Sequence, residues 1–494
     1  MTQKASKSPR IILVIPNTIW FNRRPWKLIP YAALILTSLL KDNFDFLIID
    51  ANGKNLSLSE CGDEIQHLNP DIVLITSGSV EYFMQTHAVA KITKAVCPSA
   101  TVIVGGIYAT TLPEEAIKDK NIDWLFMYHA EGRLVDFLHL LLSKNENIYS
   151  FAGVAYLDCL GNIVINPITQ FIGDISPMVK PDYSLIEVGP YLKQDHLDYQ
   201  FNSPLLMALI ITSYGCPYNC VFCASRTISG KRIAYRPVED IIEELEFLIK
   251  EKGVKSITFL DDALLANRPR IISLLNEIIA RNYNIQWKAA TVSAWHLDDD
   301  LLSLMKKSGC VQLTIAVESG SQRVLQKIIH KPLKLDIIPH IVSQCRKIGI
   351  GLGANFVIGF PGETWNEIRQ TMKFAEDCDF DVAHFHIATP LPKTDLFKIA
   401  RDNGYLPKNF SFLDPNFFGF CVGHITTEEF TPFELEVIRS FEWDRINFST
   451  PEKVERVARL YQSDPERLYE HRKQTRRNIG IYYEKKDENS SCKN

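Results

Sequence analysis

Three cysteines near the middle of the chain have the type and the spacing to bind a metal cluster. Residues 215–223 read Gly-Cys-Pro-Tyr-Asn-Cys-Val-Phe-Cys, so that Cys216, Cys220 and Cys223 are spaced C-x3-C-x2-C. Cysteine thiolates bind the irons of iron–sulfur clusters, and one short loop can fold three of them around a single cube. Three ligands for a four-iron cube leave one iron open, and an open metal position is where chemistry occurs. The spacing therefore predicts a catalytic [4Fe-4S] cluster.

Zinc sites and disulfides are the other common uses of closely spaced cysteines. A structural zinc site usually takes a fourth Cys or His, but the next His after Cys223 is His296. The chain has 11 cysteines, and those outside the loop are scattered without ligand spacing. Because residues 1–10 are polar and lack an apolar signal region, a disulfide framework of a secreted protein is disfavoured.

The cysteine loop resembles the cluster loop of the radical S-adenosylmethionine (SAM) enzymes. The resemblance implies that SAM binds the open iron through its amino and carboxylate groups. It implies that one electron from the cluster cleaves SAM to a 5′-deoxyadenosyl radical, which takes hydrogen from unactivated carbon. It also implies an electron donor of low potential, of the flavodoxin or ferredoxin type.

A repeating strand–helix pattern contains this loop and predicts a β/α barrel. The predicted strands span residues 206–213, 256–261, 286–291, 312–318, 353–359 and 382–389. The predicted helices lie near residues 238–252, 268–281, 299–307, 322–329, 335–348 and 365–377. The six repeats resemble the partial (β/α)6 barrel of radical SAM proteins, and active residues of β/α barrels lie at the carboxyl ends of the strands.

Residues at those strand ends receive roles in SAM binding from the resemblance. Glu318 matches the acid that binds the SAM ribose, since a carboxylate can accept from both hydroxyls. Ser293 matches a contact to the methionine carboxylate, and Phe222 would lie against adenine. The other candidates are Gly359 and Pro361 beside the adenine, and Asp261 and Asp262 at the amino group, where the usual Gly-Gly-Glu is replaced.

Two histidines on the last predicted strand are candidates for catalysis. His384 and His386 alternate along the strand, so both point to one face. If that face lines the barrel, they can hold substrate or move a proton. The alternative is that both are structural histidines.

The chain before residue 145 follows a second strand–helix pattern. The predicted strands span residues 10–16, 44–50, 71–76, 101–104 and 124–128, and the helices residues 26–41, 58–68, 82–96 and 133–143. The strands are almost continuously apolar, as parallel strands buried on both faces must be. This alternation predicts a doubly wound, Rossmann-like α/β domain, which binds ligands at the carboxyl ends of its strands.

Small and polar residues follow these strands and let a large ligand approach the backbone. The order and spacing of these residues resemble the cobalamin-binding domain that precedes the barrel in B12-dependent radical SAM enzymes, and imply cobalamin as a third cofactor. The alternative is a degenerate nucleotide-type fold that binds nothing. The implied contacts are Asn17, Asp50, Asn52, Thr76, Ser77, Gly78, Gly105, Gly106, Ile107, Tyr108, Glu131 and Gly132.

One turn departs from the pattern of the cobalamin carriers. Those proteins use Asp-x-His-x-x-Gly, whose His ligates cobalt, whereas residues 50–55 read Asp-Ala-Asn-Gly-Lys-Asn. Asn52 stands where the His would be. Bound cobalamin is therefore expected to lack a protein imidazole ligand.

Length and composition predict a soluble, cytoplasmic protein of two or three domains. The 494 residues carry a net charge of −4, which does not favour nucleic acid as a partner, and no apolar stretch is long enough to span a membrane. We predict a cobalamin domain over residues 1–148 and a hairpin, turning at 160–162, with a linker over 149–200. The barrel follows over 201–395, then a C-terminal substrate cap over 396–494 whose end, 485–494, is disordered.

The leading hypothesis is methylation of an unactivated carbon in a small-molecule, lipid or peptide substrate. By resemblance, one SAM methylates the cobalamin and a second generates the radical, after which the substrate radical takes the methyl group of methylcobalamin. The alternatives are a related B12 enzyme of cyclisation, oxidation or ring contraction, a tRNA methylthiotransferase, and a corrinoid- or SAM-binding protein without catalysis. The methylthiotransferase would need three further N-terminal cysteines, and only Cys61 and Cys97 precede residue 150.

Overall fold

The structure is a computed structural model that describes residues 9–175, 178–192, 203–414, 417–419 and 421–478. The predicted disordered end at 485–494 and part of the predicted linker lie outside the described residues. Among the described residues, no helix combines the length and the apolar character needed to cross a membrane.

The first sheet begins with five parallel strands in the order β2-β1-β3-β4-β5. Alternate residues of β1 enter different cores: Ile11 and Leu13 belong to one buried cluster and Ile12 and Val14 to another. The predicted doubly wound domain is therefore confirmed. The strands are β1 Arg10–Ile15, β2 Asp45–Asp50, β3 Ile72–Ser77, β4 Thr101–Gly106 and β5 Trp124–Phe126.

Six helices accompany these strands. The first begins at Tyr31, five residues after the predicted start, because Pro30 precedes it as the N-cap residue and a proline disfavours helix before it. Three others lie close to the predicted positions, and two short helices after β4 were not predicted. The helices are α1 Tyr31–Leu40, α2 Leu58–Leu68, α3 Phe83–Val96, α4 Ile107–Thr111, α5 Pro113–Ala116 and α6 Leu134–Leu142.

The predicted hairpin forms and extends the first sheet, which the sequence did not predict. Strands β6 Val154–Leu157 and β7 Ile163–Ile165 are antiparallel, and β6 pairs with β5. Asp158 closes the turn, because its Oδ1 accepts from the backbone N–H groups of Leu160 and Asn162. A short helix, α7 Ile172–Ile175, follows in the linker.

The second sheet is a curved row of six parallel strands in the order β8-β11-β12-β13-β14-β15, as predicted for the partial barrel. A two-stranded ribbon, β9 with β10, brackets the cysteine loop between β8 and β11. The strands are β8 Met207–Ile210, β9 Ser213–Tyr214, β10 Ala234–Tyr235, β11 Ser256–Phe259, β12 Gln286–Val292, β13 Cys310–Glu318, β14 Gly351–Ile358 and β15 Val382–Ile387.

The helices of this region follow the predicted order, with two local differences. Residues 247–251 and 324–329 form π-helical turns, and the latter precedes a left-handed residue, His330. The α-helices are α8 Ser225–Ser229, α9 Val238–Glu246, α10 Arg268–Arg281, α11 Asp299–Lys307, α12 Ile338–Ile348, α13 Trp365–Cys378 and α14 Asp395–Asp402.

The C-terminal region places helices against β15, the last strand of the second sheet. The amide of Asn447 donates to the carbonyl of Ala383 at 2.8 Å and accepts from its N–H at 2.7 Å, so it replaces the missing neighbouring strand. The helices are α15 Pro432–Phe448, α16 Pro451–Tyr461 and α17 Pro465–Asn478.

A buried ion pair joins the two sheets. Arg236 and Glu244 are 1% and 4% exposed, and their side chains pair at 2.5 Å. The hydroxyl of Tyr31, in α1, donates to Glu244 at 2.7 Å, and that of Tyr183, in the linker, donates to the same oxygen at 2.5 Å. Glu244 therefore connects three parts of the chain through hydrogen bonds that satisfy its buried charge.

This arrangement predicts a large loss of stability on removing the charge of Glu244. We expect Glu244→Gln to lower the free energy of unfolding by about 3–5 kcal/mol, because Arg236 would remain buried without its counter-charge. The matched control is Glu243→Gln, whose exposed pair with Lys180 should contribute less than about 1 kcal/mol. Chemical denaturation measures both, and equal losses would contradict the role of Glu244.

Candidate functional site

Two consecutive aspartates hold the ends of the cysteine loop. Asp261 follows β11 and is buried. Its carboxylate accepts hydrogen bonds from the N–H and the hydroxyl of Thr212 and, at 2.5 Å, from the hydroxyl of Ser213. Asp262 accepts from the Gly215 N–H at 3.1 Å and from the Ser225 hydroxyl at 2.7 Å. The sequence assigned both carboxylates to the SAM amino group, and that role stays a prediction; in the structure both carboxylates accept hydrogen bonds from the loop.

The middle of the loop is fixed from the opposite side. The hydroxyl of Tyr218 lies 2.9 Å from Nε1 of Trp295 and 2.7 Å from Nε2 of His296, which follow β12. The backbone of Val221 bonds to Ile329 on one side and to Leu396 on the other. Sequence reasoning missed this network, since no motif connects these distant residues.

The three thiols of the loop suit a cube better than a single ion. No three or more His, Cys, Asp or Glu side chains in the described part of the chain are arranged to hold one metal ion. The cysteines of a cube each bind a different iron and need not converge on one point. Burial raises the pKa of Cys220 to about 11 and of Cys223 to about 12, so thiolates there need a compensating cation. Iron would supply that charge, and the residues fit a cluster.

Glu318 occupies a strained position at the end of β13. Its φ is +70°, which is costly for a residue other than glycine, and a register shift interrupts its pairing with β14. Its Oε1 accepts from Nζ of Lys331 at 3.0 Å, and both side chains are buried. Lys331, which the sequence did not single out, also lies over the Trp295 ring. A strained, paired carboxylate at this edge of the barrel fits a ligand-binding role.

The end of β14 forms a tight loop beside the cysteines. Gly359 has φ +87°, and a Cβ there would come within 2.4 Å of Leu435. The buried carboxylate of Glu363 accepts from the N–H groups of Gly359 and Phe360, the two residues before Pro361. The ring of Phe222 lies 5.7 Å from that of Phe360, next to the cluster loop. Ser293 directly follows β12, and these positions remain predicted SAM contacts.

The inner face of the second sheet is polar. Strand register aligns Asn355 with His384 and Val357 with His386, on the face opposite the apolar residues that pack under the helices. Burial and then the charge of Arg439 lower the pKa of His386 to about 4, so its imidazole is neutral at neutral pH. The two rings stack at 6.3 Å, and His384 lies 3.5 Å from the hydroxyl of Tyr461. Both remain candidates for substrate contact.

Three of the predicted cobalamin contacts hold the loops of the first sheet in place. Asn52 accepts from the Thr18 N–H and donates to the Trp26 carbonyl. Asn17 donates to the Leu56 carbonyl, and Asp50 accepts from the Gly53 N–H and the Tyr191 hydroxyl. Their side chains therefore shape the rim of the first sheet.

Two other predicted contacts present buried polar atoms without a hydrogen-bond partner in the described residues. These are Oγ of Ser77 and Oε1 of Glu131, and both side chains follow strands of the first sheet. Burial raises the pKa of Glu131 to about 7. Unsatisfied buried polar atoms are costly, so their presence at strand ends fits a ligand with polar groups, such as the amides of a corrin.

The remaining predicted cobalamin contacts differ in the space and the hydrogen-bonding groups that they present to a ligand. A Cβ at Gly78 would meet nothing within 4 Å, which leaves open space there. The side chain of Tyr108 is buried, and its hydroxyl lies 3.0 Å from Nε2 of His87, so the hydroxyl already has a hydrogen-bond partner. Gly106 has φ +105° and packs against the Ser77 backbone. Thr76, Gly105, Ile107 and Gly132 lie at the same ends of the strands.

The family model of the radical SAM superfamily matches residues 210–375, which contain the cysteine loop and most of the second sheet. An uncharacterized methyltransferase of Pyrococcus horikoshii is 31% identical over 445 residues, covering 88% of this chain and 93% of the relative. The cytidylyl-2-hydroxyethylphosphonate methyltransferase of Streptomyces wedmorensis is 26% identical over 409 residues, covering 76% of each protein.

A solved structure shares the whole arrangement of the two sheets. The cobalamin-dependent SAM radical enzyme OxsB superposes with a TM-score of 0.70 at 15% identity, covering 95% of this chain and 72% of OxsB. The fold and the cysteine loop together define a radical enzyme with a doubly wound domain in front of its barrel. The chain belongs to the radical SAM superfamily, and it shares with OxsB the fold of a doubly wound domain in front of a barrel. The predicted [4Fe-4S] cluster and SAM follow from that membership.

The anchoring of the loop predicts that Asp262 matters for cluster assembly. We expect Asp262→Ala to reduce the iron bound after anaerobic reconstitution below the about four per chain expected of wild type. The reason is that the Gly215 N–H and the Ser225 hydroxyl lose their acceptor. Cys216→Ala, Cys220→Ala and Cys223→Ala should abolish the cluster and SAM cleavage, whereas Cys159→Ala, on the exposed hairpin, should change neither. Full iron content in Asp262→Ala would disprove the anchoring role.

The geometry of Glu318 predicts a specific loss of SAM affinity. We expect Glu318→Gln to lose stability, because Lys331 stays buried without its counter-charge, and the folded, cluster-loaded variant to bind SAM about 1–3 kcal/mol more weakly, the scale of a lost charged hydrogen bond. Titration calorimetry on the cluster-loaded protein measures this, with exposed Glu277→Gln on α10 as the control. Unchanged affinity would place the ribose contact elsewhere.

Proposed function

We propose that the protein is a cobalamin-dependent radical SAM methyltransferase that methylates an unactivated carbon of a small-molecule, lipid or peptide substrate. The observation that carries the proposal is that the rim of the first sheet lies against the cluster loop. Nε2 of His129, next to Glu131 in sequence, lies 3.0 Å from the Ser229 hydroxyl, and its ring packs 4.5 Å from that of Tyr214. Tyr214 directly precedes the loop.

Further contacts support the same placement. Nζ of Lys393, after β15, donates to the Thr110 carbonyl in α4 at 2.8 Å. Burial and then the nearby charge of Glu131 raise the pKa of the Tyr214 hydroxyl. A ligand bound at Ser77, Gly78 and Glu131 would therefore face the barrel that holds SAM.

Each cofactor supplies chemistry that side chains lack, while the protein positions the reactants. A cluster with SAM supplies a carbon radical, and a corrinoid supplies a transferable methyl group. In this chain Cys216, Cys220 and Cys223 would hold the cluster, and Glu318, Ser293 and Phe222 would hold SAM. His384 and His386 would contact substrate as neutral imidazoles.

The turn at Asn52 supports the methyltransferase over a carrier with a protein ligand to cobalt. Asn52 is 4% exposed and its amide is used by Thr18 and Trp26. It therefore cannot move to cobalt without breaking the loop. Cobalt without an imidazole from the protein is accessible to reduction and methyl exchange.

The electron donor has a candidate contact surface beside the cluster loop. A pocket there is lined by Cys220 and Cys223 together with Arg226, Lys393 and Lys398. Asp395 is the acid among its lining residues and pairs with Lys398. Such a positively charged surface beside the cluster favours an acidic carrier of low potential, of the flavodoxin or ferredoxin type.

The proposed function predicts that SAM is consumed in two ways. With the true substrate, cobalamin and a low-potential reductant, S-adenosylhomocysteine and 5′-deoxyadenosine should accumulate together, about one of each per methylated product. Chromatography with methyl-labelled SAM measures both products, and omission of substrate is the control. If 5′-deoxyadenosine follows product while S-adenosylhomocysteine stays at background, cyclisation, oxidation or ring contraction replaces methyl transfer.

A further inference from the structure

An arginine of the cap differs from its neighbours by having no acidic partner. Arg445, Arg456 and Arg472 each pair with a carboxylate at 2.6 Å, on Glu376, Asp379 and Asp444 respectively. Arg439, in α15, is half-buried, and no carboxylate of the described residues lies within ion-pair distance of it. Its Nε donates to the Phe385 carbonyl on β15 at 2.8 Å, which leaves its other guanidinium nitrogens for another acceptor.

The surroundings of Arg439 do not compensate its charge. Burial is the main cause that lowers the pKa values of His384, His386 and His471, and the nearby charge of Arg439 lowers them further. Neutral imidazoles therefore face the cation. Glu436, one turn earlier on α15, accepts instead from the Gly423 N–H at 2.9 Å. A partly desolvated cation without a counter-charge is costly, so the arrangement favours an anionic ligand.

A second donor beside Arg439 is also unsatisfied. Trp443 follows Arg439 by one helical turn and is 2% exposed, yet its indole N–H has no acceptor among the described residues. The guanidinium carbon of Arg439 lies 5.9 Å from the centre of the Trp443 ring. Two donors on one helix face, one of them charged, suit the oxygens of an oxyanion.

We propose that Arg439 and Trp443 bind an oxyanion of the substrate, a carboxylate or a phosphate-type group, where α15 meets the end of β15. The site lies beside His384 and His386, on the strand edge that borders the polar inner face of the barrel. The anionic group would fix one end of the substrate while its reacting carbon extends toward Glu318 and the cluster. The inference rests on the proposed function, because it assigns the barrel interior to substrate.

Anion binding can be measured without turnover, so its failure is distinct from failure of the methylation assay. We would titrate the cluster-loaded full chain, saturated with SAM and at constant ionic strength, with inorganic phosphate, methylphosphonate and propionate. Calorimetry should show saturable binding with a Kd on the order of 1 mM for at least one of them. Preference for propionate or for the phosphorus anions identifies the class of group.

Three variants and one control test the assignment. Arg439→Gln should weaken anion binding at least about tenfold, Arg439→Lys should retain part of it, and Trp443→Phe should weaken it about threefold while keeping the ring. Arg445→Gln, on the same helix with its guanidinium in exposed ion pairs, should bind as wild type does.

If wild type binds none of the three anions saturably, the inference is overturned. It is also overturned if folded Arg439→Gln and Trp443→Phe bind the anions as wild type does. Arg439 would then serve only to support β15 through its bond to the Phe385 carbonyl. Should Arg439→Gln fail to fold, Arg439→Lys and Trp443→Phe decide the question.

Discussion

Two adjacent carboxylates at the end of one strand are the constraint on which the site depends. Asp261 and Asp262 fix residues 212–215 and Ser225, so the cysteine loop leaves and re-enters the barrel at defined points. A loop that binds a cluster must hold three thiols in place, and a loop backbone alone is mobile. Hydrogen bonds from a rigid strand end remove that freedom. The ribbon of β9 and β10 and the hydroxyl of Tyr218 complete the support.

The buried charges of the protein divide into those that are satisfied internally and those that are not. Arg236 and Glu244 pair with each other, and Glu244 also accepts from two tyrosines, which connects helix α1 of the first α/β unit to the second unit. Glu318 and Lys331 form an ion pair at the rim of the barrel, and the backbone of Glu318 is strained there by its positive φ. Arg439 lacks a counter-charge. An unsatisfied donor or acceptor at a strand end indicates a ligand, whereas Glu318 is assigned to a ligand by its strained backbone and its place at the end of a barrel strand.

The same criterion separates the residues at the rim of the first sheet. Three of these side chains form hydrogen bonds with the loops, namely Asn17, Asp50 and Asn52. Two others each have a buried oxygen without a hydrogen-bond partner among the described residues, namely Ser77 and Glu131. Sequence position alone gave all five the same expected role. The rim faces the cluster loop because His129 packs on Tyr214 and Ser229. The proposed cobalamin rim of the first sheet therefore lies beside the cluster loop of the second.

The sequence by itself determined the two α/β units and most of the order of their strands and helices. Local periodicity and apolar strands contain that information. Short-range spacing predicted the cysteine ligands, and the rule that parallel strands place their carboxyl ends at one edge predicted where the other candidate site residues lie. Only the tertiary structure showed that Asp261 and Asp262 support the loop, that Lys331 pairs with Glu318, and that Arg439 and Trp443 share an unsatisfied face. These contacts join residues far apart in the chain, and their burial and partners arise from packing, which no local pattern encodes.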